Sequence, residues 1–286
     1  MNVNLFRALA DHAVACGVPI EYGKRLVEVR QGANDITAVF SDGSSATADV
    51  LIGADGIRST VRGLIDPDAP GPDYGGVLSF GGFASGAGVN VEPGSMYFAF
   101  GRTFMGYWRH VDGRVCWFAA IPRTEPLTAA EVAQVPATDW LERLRELYAG
   151  HAPGATLLAQ SDPADLMMVG PMERMPSVPR WHRGRMVLVG DAAHAPSSSS
   201  GQGASIAIES AVELARCLRD LPSPEEAFAA YERLRRGRVE SIGGNAAATN
   251  KAKAGQADAK PALPDPEQMF GPVHRHRIAW DESVTA

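Results

Sequence analysis

The chain has 286 residues, a formal net charge of −6, 45% hydrophobic residues and 21% charged residues. This composition is typical of a globular protein with an ordinary core, and the scattered lysines and arginines give no electrostatic case for a nucleic-acid partner. No apolar run approaches the ~20 residues of a membrane span, and the polar first turns predict neither a signal peptide nor a membrane anchor.

The first sixty residues predict a helix, a small meander and a buried strand. The helix covers Val3–Ala15, and Gly17 ends it. Its apolar residues on one face are Leu5, Leu9 and Ala13. The predicted meander strands are Pro19–Tyr22, Leu26–Val29, Ile36–Phe40 and Ser45–Ala48. Asp42-Gly43 predicts a hairpin turn between the last two, and Val50–Ile52 predicts the buried strand.

The middle of the chain, from Leu64 to Arg180, predicts an antiparallel sheet with one amphipathic helix. Glycine-rich loops alternate here with strands rich in aromatic residues. The predicted strands are Met96–Phe100, Phe104–His110, Val115–Ala120 and Asp165–Val169. Apolar residues at helical spacing predict the helix over Asp139–Tyr148.

The last third contains the most informative segment. Met186–Val189 is a short apolar run, typical of a strand buried on both faces, and it ends on Gly190-Asp191. A Ser/Gly-rich loop then opens a helix that runs from Gly203 to about Leu218. A charged helix is predicted from Pro224 to Val239, followed by an Ala-, Lys- and Pro-rich mobile segment over 245–266 and a solvated tail.

This segment has the chemistry expected of a flavin site. A carboxylate at the carboxyl end of a parallel strand lies where open α/β sheets bind their ligands. Asp191 can accept a hydroxyl hydrogen bond there, while free backbone amides from Gly201 to Ala204 can hold an anionic group. The two glycines allow the helix start to approach a ligand closely. A carboxylate for a polyol and amides for an anionic ring suit a flavin better than a simple phosphate.

Two motifs resemble those of one enzyme family. Gly190-Asp191-Ala-Ala-His194, followed by Gly201-Gln-Gly203, resembles the GD motif of single-component FAD-dependent aromatic hydroxylases of the p-hydroxybenzoate and salicylate hydroxylase type. The segment from Asp55-Gly56 through Arg58 and Ser59 to Arg62 is similar to their DG motif. Each motif alone is also compatible with a strand-to-helix turn whose Asp caps the helix. Two long motifs in the family's order favour the resemblance.

The resemblance implies an FAD-dependent monooxygenase that uses NADPH or NADH, with O₂, to insert one oxygen atom into an aromatic or polycyclic small molecule. In the family the GD aspartate binds the ribityl chain, and the DG motif lies beside the pyrophosphate and the path of the nicotinamide cofactor. The implied cofactor-binding residues are Asp55, Gly56, Arg58, Gly190, Asp191, Pro196, Gly201, Gly203 and Ala204. Replacing Asp55 with alanine is expected to slow flavin reduction by NAD(P)H more than it harms the fold.

The sequence also departs from the family. It contains no Gly-x-Gly-x-x-Gly turn, which in the family holds the ADP half of FAD. A polypeptide that supplies this βαβ unit is therefore a predicted partner, and residues 1–286 alone are expected to bind FAD weakly. Asn2 stands where the family usually has a phosphate-contacting arginine. Ser198, Ser205 and Ser210 replace the proline, asparagine and aspartate common in the GD loop and its helix.

No residue is predicted to be catalytic. No nucleophile has a credible base, Gly-x-Ser-x-Gly is absent, and in the resembled family the cofactor supplies the chemistry. Candidate residues for a substrate wall are Tyr97, Phe98, Phe100, Tyr107, Trp108 and Trp117. The sequence leaves open which of these face the core. The cysteines fit no metal site and are typical of a reduced cytoplasmic protein: Cys16, Cys116 and Cys217.

Two alternative interpretations stay open. A flavin-dependent halogenase is the other enzyme interpretation, but its Trp-x-Trp-x-Ile-Pro motif is present only as Trp117-Phe-Ala-Ala-Ile121-Pro122. A non-catalytic remnant, or half of a split flavoprotein, is the alternative from a different class. An absorption spectrum of the purified protein distinguishes them, because bound flavin absorbs blue light and a remnant shows no such band.

The predicted fold class is α/β (α+β), with a partial Rossmann-like FAD-binding domain and an antiparallel-sheet substrate domain. The FAD-binding part is predicted to cover residues 1–63 and, after the chain returns, residues 181–244. Residues 64–180 are predicted to form the substrate domain, and residues 245–286 a flexible segment and C-terminal tail.

Overall fold

A computed structural model of the chain describes residues 3–100, 104–253, 271 and 273–285. The strands form three sheets, two of three strands and one of five, with helices packed on them. The mixed helix and sheet architecture predicted from the sequence is confirmed.

The chain begins with a helix and a three-stranded antiparallel sheet. Helix α1 covers Val3–Ala15 as predicted, and Gly17 follows it with a φ of +81°. The strands of the sheet are β1 (Leu26–Gln31), β2 (Ile36–Phe40) and β3 (Ser45–Ala48). Gly43 has a φ of +83° at the predicted hairpin turn. Residues 19–22 were predicted as a strand but are irregular, and Pro19 has no amide to donate to a ladder.

A short strand and a short helix then lead into the five-stranded sheet. They are β4 (Leu51–Gly53) and α2 (Thr60–Ile65). The five strands are β5 (Asp73–Ala84), β6 (Met96–Phe100), β7 (Phe104–Arg109), β8 (Val115–Pro122) and β9 (Met167–Arg174). Their spatial order is β6-β7-β8-β5-β9, and every pair is antiparallel as predicted.

One face of this sheet is covered by helices. Three of them lie between β8 and β9 in sequence: α3 (Ala129–Gln134), α4 (Ala137–Leu147) and α5 (Gly154–Ala159). Trp117 of β8 and Trp140 of α4 are almost fully buried in the core between them. The sequence predicted only α4, because α3 and α5 have six residues each and offer little periodicity to detect.

The last part of the chain adds two strands beside β4 and four helices. Its elements are β10 (His182–Arg183), β11 (Met186–Leu188), α6 (Asp191–His194), α7 (Gly203–Asp220) and α8 (Pro224–Lys253). The sheet order is β10-β11-β4. Helices α7 and α8 pack together over a second core that includes Trp181, Leu214 and Phe228. Helix α8 continues past residue 244, where a mobile segment was predicted to begin, and residues 254–266 lie outside the described residues.

The last described residues form a C-terminal strap (residues 280–285) on α7 and α8. Val284 is only 8% exposed, and its amide donates to Asp220 Oδ2 at 2.9 Å. Arg216 Nε donates to the Glu282 carbonyl at 3.0 Å, and Arg219 donates to the Trp280 carbonyl at 2.9 Å. The sequence predicted a solvated tail here, but burial of the Val284 side chain and these bonds hold it against the core.

Apolar side chains are exposed on α1 and at one edge of the small parallel pair. Leu5, Phe6 and Leu9 are 41%, 47% and 54% exposed. Ile52 of β4, which is the edge strand of its described sheet, is 43% exposed. In the described ranges no helix is long and apolar enough to cross a bilayer.

Candidate functional site

The two motifs follow the carboxyl ends of two neighbouring parallel strands, so they lie at the same edge of the sheet. β11 pairs with β4 in parallel, with Met186 beside Leu51 and Leu188 beside Gly53. The Val189 amide extends this ladder by donating to the Gly53 carbonyl at 3.0 Å. Because the carboxyl ends of parallel strands point the same way, the Gly190-Asp191 turn and the Asp55-Gly56 turn are brought together.

The turn after β11 requires glycine. Gly190 has a φ of +60°, which an L side chain rarely adopts, and a Cβ there would lie 3.2 Å from Ala207 Cβ of α7. The turn therefore packs closely on α7 and presents Asp191 at the first position of α6. Among the described residues none donates a hydrogen bond to the Asp191 carboxylate, and partial desolvation by the surrounding protein raises its pKa. This is an acceptor without a described donor.

Helix α7 begins with free amide groups. Its N-cap Gln202 makes no side-chain cap, and the first helical bond runs from the Ile206 amide to the Gln202 carbonyl. Within the described part of the chain no acceptor meets the amides of Gly203, Ala204 and Ser205. This helix has 18 residues, so its unpaired amides form a positive end that favours an anionic or electron-rich group. Gly201 precedes it with a φ of +63°. The amides of Gly201 and Gln202, which were expected to be free, donate to the Ser198 carbonyl at 3.1 Å and to Ser200 Oγ at 3.0 Å.

Asp55 caps helix α2. Its carboxylate accepts hydrogen bonds from the Thr60 amide at 2.7 Å, from the Val61 amide at 3.1 Å and from the Ser59 hydroxyl. Gly56 follows with a φ of +81°. The capping alternative considered for this motif is therefore present in the structure. The expected role of Asp55 in flavin reduction stays a prediction. Its carboxylate already accepts three hydrogen bonds within the protein.

The two arginines of the first motif have different surroundings. Arg58 is exposed, and its guanidinium pairs with Glu173 of β9 at 2.7 Å. Arg62 is only 5% exposed, and it donates to the Ile57 carbonyl at 2.8 Å and to the Ala192 carbonyl at 3.0 Å. Burial lowers the pKa of Arg62. Arg62 thus ties the first motif to helix α6.

A buried polar network holds the other side of α6. His194 Nε2 lies 2.8 Å from Ser210 Oγ, which accepts from Arg235 Nε at 3.2 Å. Arg235, 1% exposed, also pairs with Glu209 at 2.8 Å, and Glu209 pairs with Arg238 at 2.7 Å. Although burial opposes it, these hydrogen bonds hold the pKa of Glu209 below its usual range.

The sequence did not predict this network. The sequence feature that indicates this network is the helical spacing of four residues in α8. An arginine lies on the buried stripe of this otherwise charged helix, among Phe228, Tyr231, Arg235 and Val239. An arginine on such a stripe requires a buried acid on the facing helix, and α7 offers Glu209. Ser210, noted as a departure from the family, is the hydroxyl that joins this pair to His194.

Stability should fall in mild acid because of His194. Burial lowers its pKa to about 4, whereas an unfolded histidine titrates near 6.5. Between those values the unfolded chain binds a proton that the folded protein excludes, so stability is lost as pH falls. We expect about 2–3 kcal/mol of this loss between pH 6.5 and 4.5. Denaturant unfolding of the parent and of His194→Gln at both pH values measures it. The variant should lose correspondingly less stability, and equal losses would contradict the assignment.

The remaining predicted residues are also placed. Pro196 is half-buried after α6, next to Ala195, whose carbonyl accepts from the Met175 amide at 2.8 Å. Cys116 and Cys217 are buried, which raises the pKa of each thiol to about 11, and Cys16 is exposed. No cluster of metal-ligating side chains occurs among the described residues.

The structure also sorts the aromatic candidates between the two faces of the five-stranded sheet. Tyr97, Tyr107 and Trp117 lie on the helix-covered face, where Trp117 Nε1 donates to Ser161 Oγ at 2.8 Å. Phe98 and Trp108 belong to an aromatic cluster on the opposite face. The side chain of Phe100 lies outside the described residues. The tryptophan of the partial halogenase motif is thus a core residue.

Comparisons with known proteins agree on one family. A family model described as an FAD binding domain matches residues 2–246. The 6-hydroxynicotinate 3-monooxygenase of Pseudomonas fluorescens is 32% identical over 248 residues, which are 83% of this chain and 60% of that protein. The aurachin C monooxygenase/isomerase of Stigmatella aurantiaca is 33% identical over 215 residues, 74% of this chain and 54% of that protein.

Solved structures give the same result. Klebsiella pneumoniae HpxO complexed with FAD and uric acid matches with a TM-score of 0.75 and 25% identity, over 94% of this chain and 65% of that one. A salicylate hydroxylase substrate complex shares the fold, with a TM-score of 0.70 and 22% identity over 93% of this chain and 70% of that one. The chain spans 60% or less of the length of the two curated relatives described. Because the family model matches most of its length, the chain belongs to the FAD-binding-domain family of the aromatic hydroxylases.

Proposed function

We propose that this chain forms the flavin-facing and substrate-facing parts of an FAD-dependent monooxygenase. Such an enzyme uses NADPH or NADH and O₂ to insert one oxygen atom into a small aromatic molecule. The named relatives act on compounds of this kind, including 6-hydroxynicotinate, and one solved neighbour binds FAD and uric acid. That likeness supports the proposal, and the geometry of the chain's own residues carries it.

One observation carries the proposal. A hydrogen-bond acceptor and several hydrogen-bond donors at the same sheet edge have no described partner. The Asp191 carboxylate has no described donor, and the amides of Gly203, Ala204 and Ser205 have no described acceptor. Free donors and acceptors at one sheet edge cost stability unless a ligand or water satisfies them. A flavin fits both, because its ribityl chain offers hydroxyl donors and its pyrimidine edge offers carbonyl oxygens.

Each residue of the site then has a defined task. Asp191 would bind a ribityl hydroxyl, and the start of α7 would hold the electron-rich edge of the ring. Arg62 and the Ser210–Arg235 network fix α6 from two sides, so the carboxylate is held in place before the ligand arrives. Bound FAD would supply the electron transfer from NAD(P)H to O₂ and the activation of oxygen.

Replacing Asp191 with alanine should weaken FAD binding about 5- to 150-fold, equivalent to roughly 1–3 kcal/mol for one charge-assisted hydrogen bond. Titration of FAD, followed by quenching of flavin fluorescence in a flavin-competent form of the protein, measures this change. Asp68→Ala is a matched control, since Asp68 is an exposed carboxylate in the loop after α2. Unchanged affinity in Asp191→Ala, with the fold intact, would remove the main support for the proposal.

The proposal includes a partner and a location. We infer that a further polypeptide element carries the ADP-binding turn, because the sequence has no Gly-x-Gly-x-x-Gly and apolar side chains are exposed on α1 and β4. The three cysteines form no disulfide with one another, which supports a cytoplasmic location. The cheapest test is the absorption spectrum of the purified chain before and after addition of FAD. A chain that purifies yellow with stoichiometric FAD would overturn the need for the partner element.

A further inference from the structure

A second segment of the chain meets the buried polar network that lies behind α6. We call residues 273–278 the pre-strap segment, because they come shortly before the C-terminal strap. The Val273 carbonyl accepts a hydrogen bond from Arg238 Nη2 at 3.3 Å. His276 Nε2 lies 3.4 Å from Arg235 Nη1. Both arginines of the network therefore also contact the pre-strap segment.

The contact with Arg235 determines the protonation state of His276. A guanidinium carries only N–H donors and no acceptor, so the imidazole nitrogen that faces it must accept the hydrogen bond. Nε2 of a histidine accepts a hydrogen bond only when it carries no proton. In this arrangement His276 is therefore neutral, and its proton is on Nδ1.

The surroundings of His276 oppose its protonation. The imidazole is half-buried, and this burial is the largest effect that lowers its pKa. The positive charges of Arg238 and Arg235 on α8 act in the same direction. Glu209 and Glu213 on α7 favour the protonated form, but Glu209 is already paired with both arginines. The pKa of His276 is therefore below the ordinary value of a histidine.

A series of contacts links His276 to the helix that presents Asp191. Arg235, which His276 contacts, donates from Nε to Ser210 Oγ at 3.2 Å. Ser210 Oγ lies 2.8 Å from His194 Nε2. His194 is the last residue of the four-residue helix α6, and Asp191 is its first. The effect of a change at His276 can thus reach α6 through side chains that are buried.

We propose that His276 is a positioning residue for the flavin site. Neutral His276 holds the Arg235 guanidinium in the orientation that supports helix α6 and the Asp191 carboxylate. This inference rests on the proposed function, and it adds a residue outside the two motifs to the same site. Protonation of His276 would remove the acceptor and place a third positive charge beside Arg235 and Arg238, so the supporting hydrogen bond would be lost.

The direction of the pH effect follows from these contacts. When the pre-strap segment is released, His276 titrates near the ordinary value of about 6.5, whereas burial and two arginines lower its pKa in the docked segment. Docking of the segment therefore weakens as pH falls below that value, by at most about tenfold per pH unit. Since one hydrogen bond is lost, we expect FAD affinity to fall about two- to fivefold between pH 7 and pH 5.5.

Two variants of His276 separate the acceptor from the titration. His276→Ala removes the acceptor and should weaken FAD binding about two- to fivefold at pH 7. His276→Gln keeps an acceptor oxygen but does not titrate, so it should keep the affinity of the parent at pH 7 and lose less of it at pH 5.5. Arg277→Ala is the matched control, because Arg277 is the next residue and is exposed.

FAD titrations at both pH values, performed as for Asp191→Ala, measure these effects. His194 is present in every variant, so its own titration does not distinguish them. Equal FAD affinity of His276→Ala and the parent at pH 7 would contradict the positioning role. The same conclusion would follow if His276→Gln lost as much affinity as the parent at pH 5.5, or if Arg277→Ala behaved like His276→Ala.

A second readout requires no FAD. The imidazole NMR resonances of His194, assigned with His194→Gln, report on its contact with Ser210. We expect His276→Ala to shift these resonances and Arg277→Ala to leave them unchanged. Unchanged His194 resonances in His276→Ala would overturn the inference.

The outcomes separate this inference from the proposed function. Shifted His194 resonances in His276→Ala, together with unchanged FAD binding in Asp191→Ala, would reject the flavin site and with it the role of His276 there. Loss of FAD binding in Asp191→Ala, together with parent-like affinity in His276→Ala, would reject only the positioning role.

Discussion

Replacing Glu209 with glutamine is expected to lower the free energy of unfolding by about 3 kcal/mol. Glutamine keeps the size of the side chain but removes the charge that neutralises Arg235 and Arg238, which Glu209 binds at 2.8 Å and 2.7 Å. Arg235 is 1% exposed, so it would remain a buried and uncompensated cation. The value lies at the low end for a broken buried pair, because Glu209 itself keeps 20% of its side-chain surface exposed.

The matched control is an ion pair of the same type on the surface. Glu28 and Arg30 pair at 2.8 Å, but their side chains are 53% and 66% exposed. Glu28→Gln should therefore cost less than about 1 kcal/mol. Denaturant unfolding followed by tryptophan fluorescence compares the two variants with the parent. If Glu209→Gln cost no more than the control, the buried network would not be a stabilising feature.

Replacing Arg62 with leucine should cost about 2–4 kcal/mol, since one buried and one part-buried carbonyl group lose their donor. The carbonyls are those of Ile57 and Ala192, and the second belongs to helix α6 beside Asp191. The same substitution should therefore also weaken FAD binding, because the turn that presents Asp191 is no longer tied to the first motif. Thermal unfolding and FAD titration on the same samples measure the two effects.

Two further variants sharpen this test. Arg58→Leu removes an exposed guanidinium that pairs with Glu173, so its cost should stay below about 1 kcal/mol. Arg62→Lys keeps the charge but not the fork of donors, and it should recover only part of the lost stability. Full recovery by lysine would show that charge, rather than the two directed hydrogen bonds, is what the site requires.

Local patterns predicted much of the fold. Helix α1 and strands β2, β3 and β6 have the predicted bounds, and the predicted turn at Gly43 adopts a positive φ value. The apolar run before Asp191 forms a parallel strand as predicted, and the structure pairs it with the run before Asp55. These features depend on spacing over a few residues, which a single sequence displays directly.

Strand β5 could not be predicted in this way. It is the longest strand of the five-stranded sheet, but its sequence from Asp73 to Ala84 contains four glycines and is typical of a loop. Two of those glycines, Gly81 and Gly82, are explained by residues in other strands. A Cβ on Gly82 would lie 2.6 Å from the Trp117 side chain, and Gly81 faces Met167. Only the neighbours across the sheet explain why glycine occurs inside this strand.

Two further features could not be predicted from the sequence. They are which helix faces are exposed and which residues hold the site in place. Leu5 and Leu9 share a face of α1, as the spacing predicted, yet both are exposed among the described residues. Ile208 of α7 is also exposed, at 47%. Asp55 and Asp191, at strand ends, were predicted as site residues, and that role stays a prediction. The hydrogen bond from Arg62 to Ala192 and the Glu209–Arg235 pair join residues more than twenty positions apart, and they required the structure.

The C-terminal strap has a practical consequence for anyone who labels this protein. Val284 is buried and its amide is bonded to Asp220, so the chain is anchored to α7 almost up to residue 285. A bulky reporter or affinity tag joined directly there would disturb these contacts and displace Val284 from its buried position. A flexible spacer after residue 286 avoids this competition, and the exposed hairpin turn at Gly43 offers a second attachment point far from it in sequence.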